Sequence, residues 1–179
     1  MAHHVLKATT QTVSWGYWDA NAQVALTIDS GDSVTMETLS GEHDDLPFDD
    51  ARFSMLPDHL EVVHGKSGGP GPHLLTGTVY VRDAQPGDIL QVHVKEIRLR
   101  QDWGWNVQIP LMGTLPEEFD AFRRIYTHID IERGTLELPW GQKFTCKPFF
   151  GCMGVAPPRE HGRLSSVEPR AFGGNIVLT

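Results

Sequence analysis

Residues 68–77 read Gly-Gly-Pro-Gly-Pro-His-Leu-Leu-Thr-Gly. Pro70 and Pro72 stiffen this stretch, and its glycines let backbone approach closely. His73 sits in the middle. A neutral imidazole held there has the chemistry of a metal ligand or a general base. A loop histidine satisfied by hydrogen bonds is the commoner role, and position alone leaves both open. The acidic run at residues 42–50, with Glu42, Asp44, Asp45, Asp49 and Asp50, carries hard oxygen ligands of the kind cations take, although such runs are usually solvated loops. Glu37 stands on an expected strand, on the face opposite Val34 and Met36. It is a carboxylate candidate whose alternative is a plain solvent face. Cys146 is followed by Lys147, but nothing fixes a Cys–Lys–Glu trio, and a buried inert thiol is the simpler role. Ser165 and Ser166 are hydroxyl candidates without the glycine-rich context of a Ser–Ser–Lys amidase. His-Glu-x-x-His and phosphate-loop patterns are absent. Trp15, Trp18, Trp103, Trp105 and Trp140 have the surface to line a pocket, and more often serve as core.

Short strands joined by turns must position these groups, because 18 Gly and 12 Pro punctuate the 179-residue chain. Val24, Leu26 and Ile28 alternate with polar or small residues, as do Val34 and Met36. The intervening Asp29-Ser30-Gly31-Asp32 predicts a hairpin. Residues 78–81 predict a strand, and Ala84-Gln85-Pro86-Gly87-Asp88 a turn. Leu90, Val92 and Val94 predict a further strand, with a parity shift at Ile97 and Leu99 that places a bulge near Lys95 and Glu96. Thr114 and Glu117 have capping-box spacing, and Phe119, Phe122 and Tyr126 follow at helical intervals, so a helix is expected there. Residues 129–132 and 135–138 predict a hairpin around Arg133-Gly134. Residues 157–174 read as an ordered loop, and loops that long are often functional. The fold expected is mainly β, a sandwich or distorted barrel with one short helix, as a single domain over residues 1–179.

The net charge of −8 and the lack of any Lys/Arg cluster argue against nucleic acid. No apolar run has the length to span a membrane, and the first residues lead into no signal sequence. The two cysteines, Cys146 and Cys152, make no disulfide framework. A cytoplasmic protein is the expectation.

Three colinear groups of motifs resemble the acetamidase/formamidase family. The first is residues 24–38, with the Gly31-Asp32 turn and Glu37-Thr38. The second is Gly71-Pro72-His73-Leu74-Leu75-Thr76-Gly77, leading into Val79-Tyr80-Val81 and Gln85-Pro86-Gly87-Asp88. The third joins Pro148-Phe149-Phe150-Gly151, Gly154-Val155-Ala156-Pro157 and Pro169-Arg170-Ala171-Phe172-Gly173-Gly174-Asn175. The resemblance implies hydrolysis of short aliphatic amides, such as formamide or acetamide, to carboxylate and ammonia. It also implies a homo-oligomer and a divalent metal, zinc or calcium, that activates water. Carried onto this chain, His73 becomes metal ligand or base, Glu37 a second carboxylate, and Asn175 a hydrogen-bond partner of the amide. Thr76, Gly77, Gly173 and Gly174 shape the substrate site. The family pattern continues after Gly-Gly-Asn with an apolar residue and Asp, where this chain has Ile176 and Val177. It then extends into a further part with a His–Gly–Asp–Glu segment, so the expectation is a truncated relative from which the family's C-terminal part is missing. The alternative expectations are a non-catalytic β-rich assembly module and a small-molecule or sugar-binding module built on the tryptophans.

Overall fold

The computed structural model describes residues 1–168 and 173–175, with backbone alone at 174 and 175. The described residues cluster into two compact units. One comprises Met1–Asp44, Pro57–Lys95 and the described residues from Phe150 onward; the other comprises Asp45–Leu56 and Glu96–Phe149.

In chain order the strands are β1 (His3–Leu6), β2 (Val13–Trp15), β3 (Tyr17–Asp19), β4 (Leu26–Ile28), β5 (Ser33–Met36), β6 (Leu74–Thr76) and β7 (Val79–Val81). They continue as β8 (Trp103–Gln108), β9 (Arg123–Asp130), β10 (Thr135–Glu137), β11 (Lys143–Thr145), β12 (Cys152–Gly154), β13 (Arg163–Ser165) and β14 (Gly173–Asn175). One α-helix, α1 (Pro57–Gly65), and two short 3-10 turns accompany them. Among the described residues the chain is mainly β with a single short helix, as expected, and no closed barrel forms.

In the first unit the strands pair two by two. β2 and β6 are antiparallel, with Trp15 opposite Leu74, and β3 and β13 are antiparallel, with Trp18 opposite Leu164. β12 and β14 are antiparallel, whereas β1–β5 and β4–β7 are parallel. The core of this unit is Leu6, Ala8, Val13, Trp15, Leu39, Val62, Val63 and Leu74, all buried. α1 starts at Pro57, whose fixed φ suits the first helical position, has Asp58 in its first turn, and stops at Gly65. It buries His59, Val62 and Val63, an i, i+3, i+4 stripe. The His59 ring also meets the Gly41 carbonyl through Nε2 at 2.7 Å.

The second unit is an antiparallel sheet in the order β11-β10-β9-β8. Trp103 is 1 % exposed, donates its indole N–H to the Ser54 carbonyl at 3.1 Å, and lies edge-on to Tyr126. Tyr126 donates to the Leu46 carbonyl at 3.2 Å. Asp45 is buried and pairs with Arg124 at 3.3 Å.

Four expectations are corrected. The segments around Gly31 are strands joined by a turn, with Asp32 N–H on the Asp29 carbonyl at 3.1 Å, but they form no hairpin. β4 pairs with β7 and β5 with β1, because the Asp32 carboxylate is occupied by the Ala2 N–H and His4 Nε2, which dock β1 beside β5. The helix expected after Thr114 is absent. Leu111 and Gly113 have positive φ, residues 115–118 make a turn, and Tyr126 lies within β9, where six residues pair with β8. Residues 89–99 carry no strand and no bulge; Ile89, Leu90, Val92 and Val94 are exposed and have no pairing strand among the described residues. The loop expected over 157–174 contains a 3-10 turn and β13, and its residues 169–172 lie outside the described residues. The strand at 79–81, the turn at Gly87 and the hairpin around Gly134 are observed; the hairpin pairs Thr135 with Asp130.

Candidate functional site

His73 immediately precedes β6, so the β2–β6 pair fixes its backbone. Gly16 follows β2 and donates its N–H to the His73 carbonyl at 2.8 Å. Ser166 follows β13 and donates its N–H to the Gly16 carbonyl at 2.9 Å. The Ser166 hydroxyl lies 2.9 Å from His73 Nδ1. Three hydrogen bonds therefore close a ring through Gly16 and tie residues 93 positions apart in sequence.

Glycine is required at two points of this ring. Gly16 has φ of +81°, and a side chain there would strike the Gly71 backbone. Gly71 is buried, and a Cβ on it would collide with Ser166 Oγ and stand 3.1 Å from Val167 Cγ2. The glycine content of residues 68–71 thus serves close packing of protein on protein.

Ser166 is fully buried, at 0 % exposure. A nucleophilic role is thereby closed to its hydroxyl, which faces His73 and not solvent. His73 is half-buried, and burial pulls its pKa below the usual histidine value, so the ring is neutral at pH 7. Nε2 has no hydrogen-bond partner among the described residues. Two further polar atoms of the β2–β6 pair, Trp15 Nε1 and Thr76 Oγ1, are buried without a partner among the described residues. The Trp15 nitrogen lies beside Gly68, 3.3 Å from where a Cβ would stand.

The other expected site residues fall elsewhere. Glu37 follows β5 and donates its N–H to the Leu6 carbonyl, within the β1–β5 pair. Gly77 donates to the Thr12 carbonyl at 2.8 Å. Gly173 packs on Gly154 and on the Trp18 ring, with a Cβ placed 3.0 and 3.3 Å from them, so its close approach is to protein. Gly174 and Asn175 pair through β14 with Met153 and Cys152; the Asn175 side chain lies outside the described residues, as do Ile176, Val177 and Thr179. In the acidic run Asp45 is paired with Arg124, Asp50 with Arg52 at 2.5 Å, and Asp44 with His43 at 3.2 Å. The two Asp–Arg contacts are ion pairs, and the Asp44–His43 contact a hydrogen bond, of the kind that hold loops. Neither cysteine is in a disulfide, and burial raises the Cys152 thiol pKa, which disfavours thiolate. Trp15 and Trp103 are core residues of different units, and Trp140 is exposed.

A divalent metal needs several donors at one point. Among the described residues no three His, Cys, Asp or Glu side chains converge, and the neighbours of His73 are a hydroxyl and glycine backbone. These residues alone do not fit a resident metal. A shallow hollow of the second unit, lined by Asn106, Gln108, Met112, Leu115 and Phe119, has no titratable side chain.

The missed partner was Ser166. The sequence marks it only as one of two adjacent serines, and no local pattern links it to His73.

The fold and this ring define a β-rich chain built around a neutral histidine held from behind by a buried serine. The model of the Acetamidase/Formamidase family matches residues 6–165, and the chain belongs to that family. A search of curated proteins gave no match. Among solved structures, a recombinant predicted acetamidase/formamidase from the thermophile Thermoanaerobacter tengcongensis superposes with a TM-score of 0.75 at 19 % identity, covering 98 % of this chain and 52 % of that one. An acetamidase from Bacillus halodurans gives 0.65 at 21 % identity, covering 96 % and 52 %. The chain spans about half the length of these structures, which at such identities show the fold. No helix among the described residues is long and apolar enough to cross a membrane.

Proposed function

We propose that this chain supplies the His73 part of an amidase site that hydrolyses short aliphatic amides, formamide or acetamide, to carboxylate and ammonia. The observation that carries the reading is the His73 ring, held by β2, β6 and Ser166 with Nε2 left open, in a chain of the acetamidase/formamidase family. A neutral imidazole with one nitrogen anchored and the other open is suited to polarise an amide carbonyl or to move a proton. Thr76 and Trp15 supply polar atoms on the same strand pair. Glu37, Asn175, Gly77, Gly173 and Gly174 remain proposed contributors on the strength of the family motifs. A zinc or calcium ion that activates water belongs to the same proposal, and it requires ligands beyond the described residues. Two cysteines outside any disulfide accord with a cytoplasmic protein.

Ammonia release from formamide and acetamide, with and without added zinc or calcium, tests the proposal. Turnover that falls at least about 100-fold in His73→Ala is the expected result, the usual worth of a positioned acid–base or polarising group. Turnover unchanged by that substitution removes His73 from the site.

The exposed apolar run Ile89, Leu90, Val92 and Val94 favours a second reading, in which the chain is an assembly module. Unpaired apolar segments of this kind associate. Light scattering is expected to show oligomers that dissociate in Leu90→Lys/Val92→Lys; a monomer at all concentrations contradicts it.

A further inference from the structure

The Ser166 hydroxyl has one hydrogen, and its only hydrogen-bond partner among the described residues is His73 Nδ1, 2.9 Å away. The serine is at 0 % exposure, so water does not reach it from the surface. Gly71 packs directly over the hydroxyl, and the Ser166 backbone is pinned to Gly16. Two arrangements satisfy the distance. If Ser166 donates to Nδ1, the buried hydroxyl is satisfied and the ring proton sits on Nε2. If Nδ1–H donates to Oγ, the hydroxyl hydrogen is left buried without an acceptor. The desolvation penalty of an unmet donor favours the first arrangement by about tenfold or more.

We propose that Ser166 is a positioning residue that holds neutral His73 as the Nε2–H tautomer. His73 then presents a hydrogen-bond donor to whatever enters the site. Resting on the amidase reading above, this makes His73 a donor to the amide carbonyl oxygen, where charge builds up as the carbonyl is attacked. Direct ligation of a cation by Nε2 requires the proton to leave that nitrogen first. It leaves Ser166 with an unmet hydrogen, so the ring as built selects against metal at Nε2.

Two-bond proton–nitrogen NMR spectra of the full-length chain, uniformly labelled with nitrogen-15 and recorded at pH 7.5, read the tautomer directly. The expected spectrum has an unprotonated, pyridine-like Nδ1 and a protonated, pyrrole-like Nε2 for His73. Ser166→Ala is expected to move both signals toward a tautomer average, and Ser166→Thr, which keeps the hydroxyl, to restore them. A protonated Nδ1 in the wild-type chain overturns the proposal whether or not the variants fold. So does a spectrum unchanged in Ser166→Ala. This readout is separate from turnover. An inactive chain with the Nε2–H tautomer counts against the amidase reading and leaves the role of Ser166 standing, and an active chain with protonated Nδ1 does the reverse.

Discussion

Gly71→Ala tests the packing of the His73 ring. The added Cβ would overlap Ser166 Oγ, stand 3.1 Å from Val167 Cγ2 and touch the Gly16 carbonyl at 3.4 Å. Backbone and a buried serine pinned through its own N–H cannot give way as a flexible side-chain tip would. Overpacking of this kind costs about 1–3 kcal/mol. Displacing Ser166 from His73 removes a hydrogen bond worth about 0.5–1.5 kcal/mol. The loss of unfolded-state freedom offsets about 0.4–1 kcal/mol. A net destabilisation of about 0.5–4 kcal/mol follows, or roughly 1–16 °C in Tm for a chain of this size. Gly151→Ala is the matched control, because a Cβ there meets nothing within 4 Å, and it should be neutral or slightly stabilising. Urea titration of both variants beside the wild type gives the comparison, with the His73 nitrogen signals as a local probe. A Gly71→Ala chain as stable as Gly151→Ala, with His73 signals unmoved, would refute the close packing of loop on serine.

The Asp32 clasp gives a pH prediction. Hydrogen bonds from His4, then from the Ala2 and Asp29 N–H groups, hold the Asp32 carboxyl down at about 2, from an ordinary 3.8. A lowered carboxylate contributes stability above its unfolded value and loses it as pH falls through the folded one. The contribution is therefore present above about pH 4 and lost toward about pH 2. Asp32→Asn should lower the urea midpoint at pH 6 and flatten its fall between about pH 4 and 2; parallel curves for variant and wild type would contradict the clasp. The His73 shift has a separate consequence. A histidine whose folded pKa is lowered by burial is neutral in both states at high pH, so stability falls as pH drops below the unfolded value near 6.5. His73→Gln should remove that component and leave the Asp32 component intact.

Strand positions were legible because alternation at Leu26–Ile28 and Ser33–Met36, and β-propensity at Val79–Val81, are local properties. Strand partners were not. β1 and β5 meet because residues near the first few positions bond to Asp32, about 30 residues away, and alternation carries no information on which distant edge fits. Thr114 and Glu117 imitate a cap, yet Arg123–Asp130 is an eight-residue strand whose pairing to β8 outweighs the local signal. The real helix carried readable punctuation, Pro57 at its start and Gly65 at its end. Its Val62 and Val63 stripe is short and is interrupted by polar residues, which hid it. Of the candidate site, His73 was visible through the rigidity of its loop. Ser166 was not visible as its partner, because the ring that joins them is made of backbone bonds through Gly16 and no pattern of residue types encodes it.

His73, held in the Ser166–Gly16 ring, is proposed to serve amide hydrolysis. Ammonia released from formamide by the wild-type chain and by His73→Ala, under one set of metal conditions, measures it most directly. Release by the wild type and a fall of at least about 100-fold in the variant are predicted. Equal release by both chains would contradict it.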